Sequence, residues 1–239
     1  ADSRSGVDWQ DRKYYDGFFG GSKLIQAGVF SESFYLKTGV VCAVIGGASI
    51  LGLALWLQSF LVIILFAVIL GLSWAYSEPP FKLSYRGFGE AVIFLLFGPV
   101  PVLAGHFIQT GRILTLPAWL LAVPFGLLTT AILAANEVPD YPQDAAAGKH
   151  TLIHWIRPQR AYLLYYYLTL GALLAIAINI AFGNLSKGAF LSWLLLVPIF
   201  AAAEILRQSY NDKARLVMVA KLTIAGQAIA GLIIIFTVS

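Results

Sequence analysis

Cysteine occurs once, at Cys42, and charged side chains make up only 12% of the 239 residues. A single thiol excludes an internal disulfide framework, a cysteine-based zinc site and an iron–sulfur cluster. Cys42 itself lies in an apolar run and reads as a small core or lipid-facing residue. The shortage of charge says more. An average soluble domain is about 25% charged, whereas this chain is 59% hydrophobic. A soluble globule of this length cannot cover that much apolar surface, and disorder requires the opposite composition. The class that remains is a polytopic membrane protein.

What is present agrees. Seven apolar stretches are long enough to cross a bilayer: residues 35–57, 60–76, 91–108, 116–135, 161–182, 189–206 and 222–238. Barrel strands are about 10 residues long with alternating polarity, and these runs are longer and apolar all round. The expected fold is therefore an all-α polytopic membrane helix bundle, with residues 1–239 forming a single transmembrane domain. Trp56, Trp74 and Trp119 lie near span ends, as interfacial aromatics do. Gly46 and Gly47 are expected to let helices pack closely.

The few charges are unevenly placed. Connecting segments fall alternately on two sides, and one side carries 14 of the 16 Lys and Arg. Only Arg112 and Lys187 lie on the other. Cations accumulate on the cytoplasmic side, so the N-terminus is expected inside and the C-terminus outside. All 12 Asp and Glu share the cationic side, which the topology rule does not demand. Greater loop length alone would also collect polar residues there. The net charge of +4 is thus a membrane-topology signal, and no nucleic-acid partner is expected. The partner is the lipid bilayer.

Three polar loops hold the candidate chemistry. The first, ADSRSGVDWQDRKYYDGFFGGSKLIQAGVFS from Ala1 to Ser31, contains Asp2, Asp8, Asp11 and Asp16, then glycines and Lys23. Spaced carboxylates suit a hard divalent cation, which takes oxygen ligands, although a solvated charged segment looks the same. The second, YSEPPFKLSYRGFGE from Tyr76 to Glu90, follows Pro79-Pro80 with Lys82 and Arg86. These cations suit a diphosphate or serve as positive-inside anchors. The third, NEVPDYPQDAAAGKHTL from Asn136 to Leu152, spaces Asn136, Asp140 and Asp144 four apart. On a helix these share one face, although Pro139 and Pro142 argue against an undisturbed helix. Gly148 and Lys149 follow, and the set suits a magnesium-bound phosphate. Two acidic loops and one basic loop on one face of an apolar bundle fit a diphosphate carrying a greasy tail.

These residues resemble the UbiA superfamily of intramembrane aromatic prenyltransferases, most of all its 1,4-dihydroxy-2-naphthoate, or menaquinone, branch. Asp2 to Asp8 resembles the D-x-x-x-G-x-D part of that branch's first Asp motif. Gly20 to Gly28 resembles its G-G-S-R-x-I-Q-x-G, with Lys23 in place of Arg. Tyr76 to Glu90 resembles Y-S-x-P-P-x-x-L-x-x-x-G-x-G-E, and Asn136 to Leu152 resembles the second Asp motif. The resemblance implies a nine-span fold, of which seven spans are present. It implies transfer of an isoprenyl group from isoprenyl diphosphate to an aromatic acceptor, with Mg2+. Asp2, Asp140 and Asp144 would be catalytic. Asp2, Asp8, Asn136, Asp140 and Asp144 would hold the metal. Lys23, Lys82, Arg86 and Lys149 would bind the diphosphate. Tyr76 would stabilise the allylic cation or anchor the interface. The implied location is a bacterial or archaeal plasma membrane, with the motif loops cytoplasmic.

The first two helices of that fold have no counterpart after Ala1. Either they precede this chain or the protein is a shortened relative. The second case makes a non-catalytic structural or quinone-handling subunit of a respiratory or photosynthetic membrane complex the rival expectation. A transporter is a weaker rival, because no clear internal repeat is visible.

Overall fold

The computed structural model describes Phe18, Phe19, Leu24, Ile25 and residues 27–238. The chain divides into two compact units, residues 1–82 and residues 83–239. In the first, α1 (Glu32–Trp56) packs against α2 (Leu61–Ser77). Ser31 caps α1, its hydroxyl accepting from the Phe34 N–H at 3.1 Å, and Glu32 complements the helix dipole in the first turn.

The second unit runs α3 (Gly89–Phe97), α4 (Pro99–Thr110), α5 (Leu116–Ala146), α6 (Leu152–Ile156), α7 (Ala161–Ala181), α8 (Leu196–Ser209) and α9 (Lys213–Thr237). Short 3-10 turns lie at Leu83–Tyr85, Pro158–Arg160 and Lys187–Leu195. Among the described residues there is no strand, only an isolated bridge between Leu185 and Val238. Six helical stretches are long and apolar enough to cross a membrane, and the 17-residue α2 completes the seven apolar segments. The chain is an all-helical, polytopic membrane protein.

Three spans differ from the sequence expectation, each at a proline. The stretch expected to run unbroken over 91–108 is two helices that meet at Gly98 and Pro99. Pro99 lacks an N–H and disfavours helical geometry in the residue before it; Gly98 takes φ −113° and ψ −90°. The expected 189–206 span begins as a 3-10 turn and becomes α-helical only at Leu196. Pro198 there sits in the first helical turn, where an N–H has no intrahelical partner. The third difference is α5, which continues eleven residues past Ala135, through Pro139 and Pro142.

Helix α5 is the most buried of the spanning helices and packs against α3, α4, α7 and α9. Small residues recur on it every fourth position: Ala118, Ala122, Gly126, Thr130 and Ala134. They let neighbouring backbones approach. A Cβ at Gly98 would lie 2.7 Å from the Gly126 Cα, and one at Gly126 would lie 2.6 Å from the Phe94 ring. Among the described residues the close packing expected at Gly46 and Gly47 is absent, since a Cβ there meets nothing within 4 Å.

The two ends of the second unit are tied separately. At one, the Ser186 N–H donates to the Thr237 carbonyl at 2.7 Å. At the other, the His150 N–H donates to the Tyr85 carbonyl at 3.0 Å. Residues 83–90 of the second polar loop therefore lie with the third loop, at the end away from Val238.

Pro124 sets a specific problem inside the bilayer. It cannot donate to the carbonyl four residues earlier, Leu120. An unsatisfied carbonyl in apolar surroundings is costly. Asn179 of α7, fully buried, donates its amide to the Leu120 carbonyl at 2.8 Å and to the Ala175 carbonyl at 2.9 Å. Its own oxygen accepts from Asn184 at 3.0 Å. We expect Asn179→Ala to lower stability by about 1–2 kcal/mol. In a Pro124→Ala background, where an N–H is restored, the loss should be clearly smaller. Equal losses in thermal unfolding of the two backgrounds would show that the Leu120 carbonyl is not what Asn179 serves.

Candidate functional site

The site grows from the far end of α5. At about 1.5 Å per residue this 31-residue helix is about 46 Å long, whereas the hydrocarbon core is about 30 Å thick. Its last turns thus stand beyond the apolar layer. Because the helix is continuous, Asn136, Asp140 and Asp144 do fall on one face, as their spacing anticipated. Asp144 is buried, and Asn136 and Asp140 are half-buried. The Asn136 side-chain oxygen is buried with no hydrogen-bond partner among the described residues.

The end of α5 explains how Lys149 joins this face. Gly148 has φ +70°, the left-handed conformation that glycine adopts without steric cost. Its N–H donates to the Ala145 carbonyl at 3.1 Å, and the Lys149 N–H donates to the Asp144 carbonyl at 2.8 Å. This paired closure ends the helix and folds the next residue back over it. The Lys149 ammonium consequently sits 3.1 Å from the Asp144 carboxylate, and 6.0 Å from the Tyr85 ring centroid.

Tyr85 belongs to the second loop, and further contacts lock the two loops. Gly87, at φ +79°, brings its backbone against Trp155 and the His150 carbonyl, and a Cβ there would lie 3.2 Å from the Trp155 ring nitrogen. Glu90, in the first turn of α3, accepts from the Leu152 N–H at 2.7 Å. That donor is one of the orphan amides at the start of α6. A carboxylate is the favoured group at a helix N-terminus, and here it is supplied from another loop. Glu90 is buried, as is Glu137 beside Asn136 on α5, and each leaves one carboxylate oxygen with no hydrogen-bond partner among the described residues.

Glu90 and Glu137 are the residues that sequence reasoning passed over. Both stood inside the quoted loops. Nothing in a one-dimensional pattern marked them as buried, because their burial comes from the docking of one loop on the other. Of the expected residues, Asn136, Asp140, Asp144 and Lys149 form the cluster. Arg86 lies in the second loop and is exposed. Tyr76, near the end of α2, and Lys82, with φ 44°, belong to the first unit. Asp2, Asp8 and Lys23 lie outside the described residues. Glu204 has no place in the cluster: Arg207, one turn along α8, grips it with two bonds of 2.7 and 2.8 Å.

Magnesium can be tested against this donor set. Among the described residues no three His, Cys, Asp or Glu side chains converge on one point. Magnesium does not require three, since it usually meets protein through one or two carboxylates and completes its shell with water and substrate phosphate. The donors here are all oxygen, which suits this ion over softer metals. The orphaned Asn136 oxygen is the kind of group that a cation or its water would satisfy. The residues fit.

A model of the UbiA prenyltransferase family matches residues 23–225. The chain is 35% identical over 102 residues to 1,4-dihydroxy-2-naphthoate octaprenyltransferase of Mycobacterium tuberculosis, a stretch covering 41% of this chain and 34% of that protein. It is 27% identical over 155 residues to 2-carboxy-1,4-naphthoquinone phytyltransferase of Synechocystis, covering 64% and 46%. It is 39% identical over 83 residues to UbiA prenyltransferase domain-containing protein 1 of Danio rerio, covering 35% and 24%. The matched stretches thus span less than half of these relatives' length. No solved structure matches the chain.

Two outcomes are expected from this geometry. Glu90→Ala should cost about 1.5–3 kcal/mol, the worth of a hydrogen bond to a charged group, and open residues 148–157 to protease. Glu90→Gln keeps a carbonyl acceptor and should retain most of the stability; equal losses would detach the effect from the Leu152 amide. The second concerns His154. Burial, then the neighbouring His150 and Arg157, holds its imidazole below the ordinary histidine range. The folded state resists protonation more than the unfolded chain does. Its contribution is therefore complete above about pH 6.5 and is lost as pH falls through the lowered folded value. His154→Gln should flatten the fall in melting temperature between about pH 7 and pH 5; an unaltered pH profile would show that another group governs it.

Proposed function

The chain belongs to the UbiA prenyltransferase family, and on that premise we propose that it transfers an isoprenyl group from isoprenyl diphosphate to an aromatic acceptor. The acceptor we propose is 1,4-dihydroxy-2-naphthoate. The observation that carries this reading is the face of oxygen donors formed by half-buried Asn136 and Asp140 and buried Asp144, closed by Lys149, at the polar end of an apolar helical bundle. The naphthoate acceptor is supported by the loop residues from Tyr76 to Glu90 and by the naphthoate relatives' names.

In this mechanism Asp140 and Asp144, with Asn136, would hold magnesium, and Asp2 and Asp8 of the first loop would hold a second ion. When bound there, magnesium would supply positive charge against the negative charge that develops on the diphosphate leaving group. Lys149, Arg86, Lys82 and Lys23 bind the diphosphate oxygens as charge-assisted donors. The Lys149–Asp144 pair keeps that ammonium in place before substrate arrives. The allylic carbon–oxygen bond breaks with its electron pair leaving on diphosphate. The electron-rich ring carbon bearing the carboxylate then forms the new carbon–carbon bond, and carbon dioxide departs, returning its electrons to the ring. Tyr76 offers its ring face to the allylic cation. The apolar helices receive the isoprenyl tail, and the charged loops face the cytoplasm.

Asp140→Ala and Asp144→Asn should each lower magnesium-dependent transfer by on the order of a hundredfold or more. The assay is purified protein in proteoliposomes with isoprenyl diphosphate and the naphthoate. Asp144→Asn keeps the side-chain shape, so a folded but inactive variant is the informative outcome. Turnover within a fewfold of the parent in either variant would remove the carboxylates from the mechanism.

A further inference from the structure

Apart from this cluster, the second unit carries a groove of about 560 Å³ along α6, the Pro158–Arg160 turn and the start of α7. Its rim holds Arg157 and Arg160, and its wall holds Trp155, Leu163 and Tyr167. Among the described residues no acidic side chain lines it. Trp155 is 68% exposed and Tyr167 78% exposed. The Arg157 guanidinium donates to the Tyr141 hydroxyl at 3.2 Å, and among the described residues most of its five donors make no other bond. The Arg160 side chain makes no hydrogen bond or ion pair among the described residues. Both arginines sit on the turn that leads into a spanning helix, at the end where the charged loops gather.

We propose that this groove binds the headgroup of an anionic membrane phospholipid, with one acyl chain lying along Leu163 and Tyr167. The charges are complementary: two planar guanidinium forks face outward, and each can take phosphate oxygens bidentately. The wall distinguishes a lipid from free phosphate. Leu163 and Tyr167 are one turn apart on α7 and share a face, so the apolar surface continues from the arginines down toward the hydrocarbon. Trp155 and Tyr167 have the amphipathic character that favours the headgroup level. A free phosphate would use the arginines and leave this wall uncovered. The anionic lipids of a cytoplasmic leaflet also lie on the side to which the cation count assigns this end.

The test measures lipid retention by the full chain purified into nanodiscs of equal phosphatidylglycerol and phosphatidylcholine, then released for native mass spectrometry. The parent protein should retain phosphatidylglycerol in preference. Arg157→Gln with Arg160→Gln should weaken that retention roughly tenfold or more, the scale of a lost charge-assisted contact. Arg160→Gln alone should show a partial loss; because the Arg160 side chain has no partner among the described residues, this variant stays informative if the double variant misfolds. Three results would overturn the proposal: equal retention of phosphatidylcholine, unchanged phosphatidylglycerol retention in the variants, or displacement by millimolar inorganic phosphate. Displacement by an isoprenyl diphosphate at a concentration matching the lipid would give the groove to that substrate and overturn it as well. The readout is binding, so it stands or falls independently of prenyl transfer.

Discussion

A helix that crosses a bilayer and also carries acids must keep those two tasks on different turns. Charged and carboxamide groups are expensive in hydrocarbon, while small apolar residues are what tight helix packing requires. Helix α5 meets both demands by length. Its first turns offer Ala118, Ala122 and Gly126 to neighbouring helices, and its last turns carry Asn136, Glu137, Asp140 and Asp144. The remaining helices of the second unit are arranged around that division. The break at Gly98 is pressed onto Gly126, and this sets where α3 ends. The start of α3 sets where Glu90 stands, and Glu90 holds the amide that opens α6.

Proline is the recurrent cause of local departure, and each case is answered by a nearby group or position. Pro124 leaves the Leu120 carbonyl without its helical donor, and Asn179 supplies one from α7. Pro99 breaks a span where a glycine can absorb the turn. Pro139 and Pro142 do not break α5. They lie beyond the apolar length of the helix, where a carbonyl deprived of its intrahelical donor has other polar groups within reach. A proline in sequence therefore signals a missing hydrogen bond, and the surroundings decide whether the helix ends.

Much of this was legible in one dimension. The seven apolar segments follow from run length alone, since hydrocarbon thickness dictates how many apolar residues a crossing needs. The shared face of Asn136, Asp140 and Asp144 follows from their spacing once the helix is continuous. Other features were not legible. Glycines at 46 and 47 look like packing glycines but meet nothing among the described residues, because a small residue permits close approach without causing it. Glu90 and Glu137 resemble ordinary loop acids. Only the contact between loops 65 or so residues apart, through the Tyr85 carbonyl, Gly87 and Leu152, turns them into buried groups.

The scarcity and one-sided placement of charge, readable from residues 1 to 239 alone, determined that the protein lies in a membrane and which connecting segments gather its charge. Those properties are sums over the chain, and apolar transfer and charge burial act on each residue largely regardless of its distant neighbours. Tertiary structure decided which polar groups meet. Gly148 turns Lys149 back onto Asp144, α3 brings Glu90 to α6, and the chain from Arg157 to Arg160 leaves two guanidinium groups exposed. Each of these depends on a hydrogen bond or close contact whose direction is set by backbone geometry, and such directions exist only once the helices have packed.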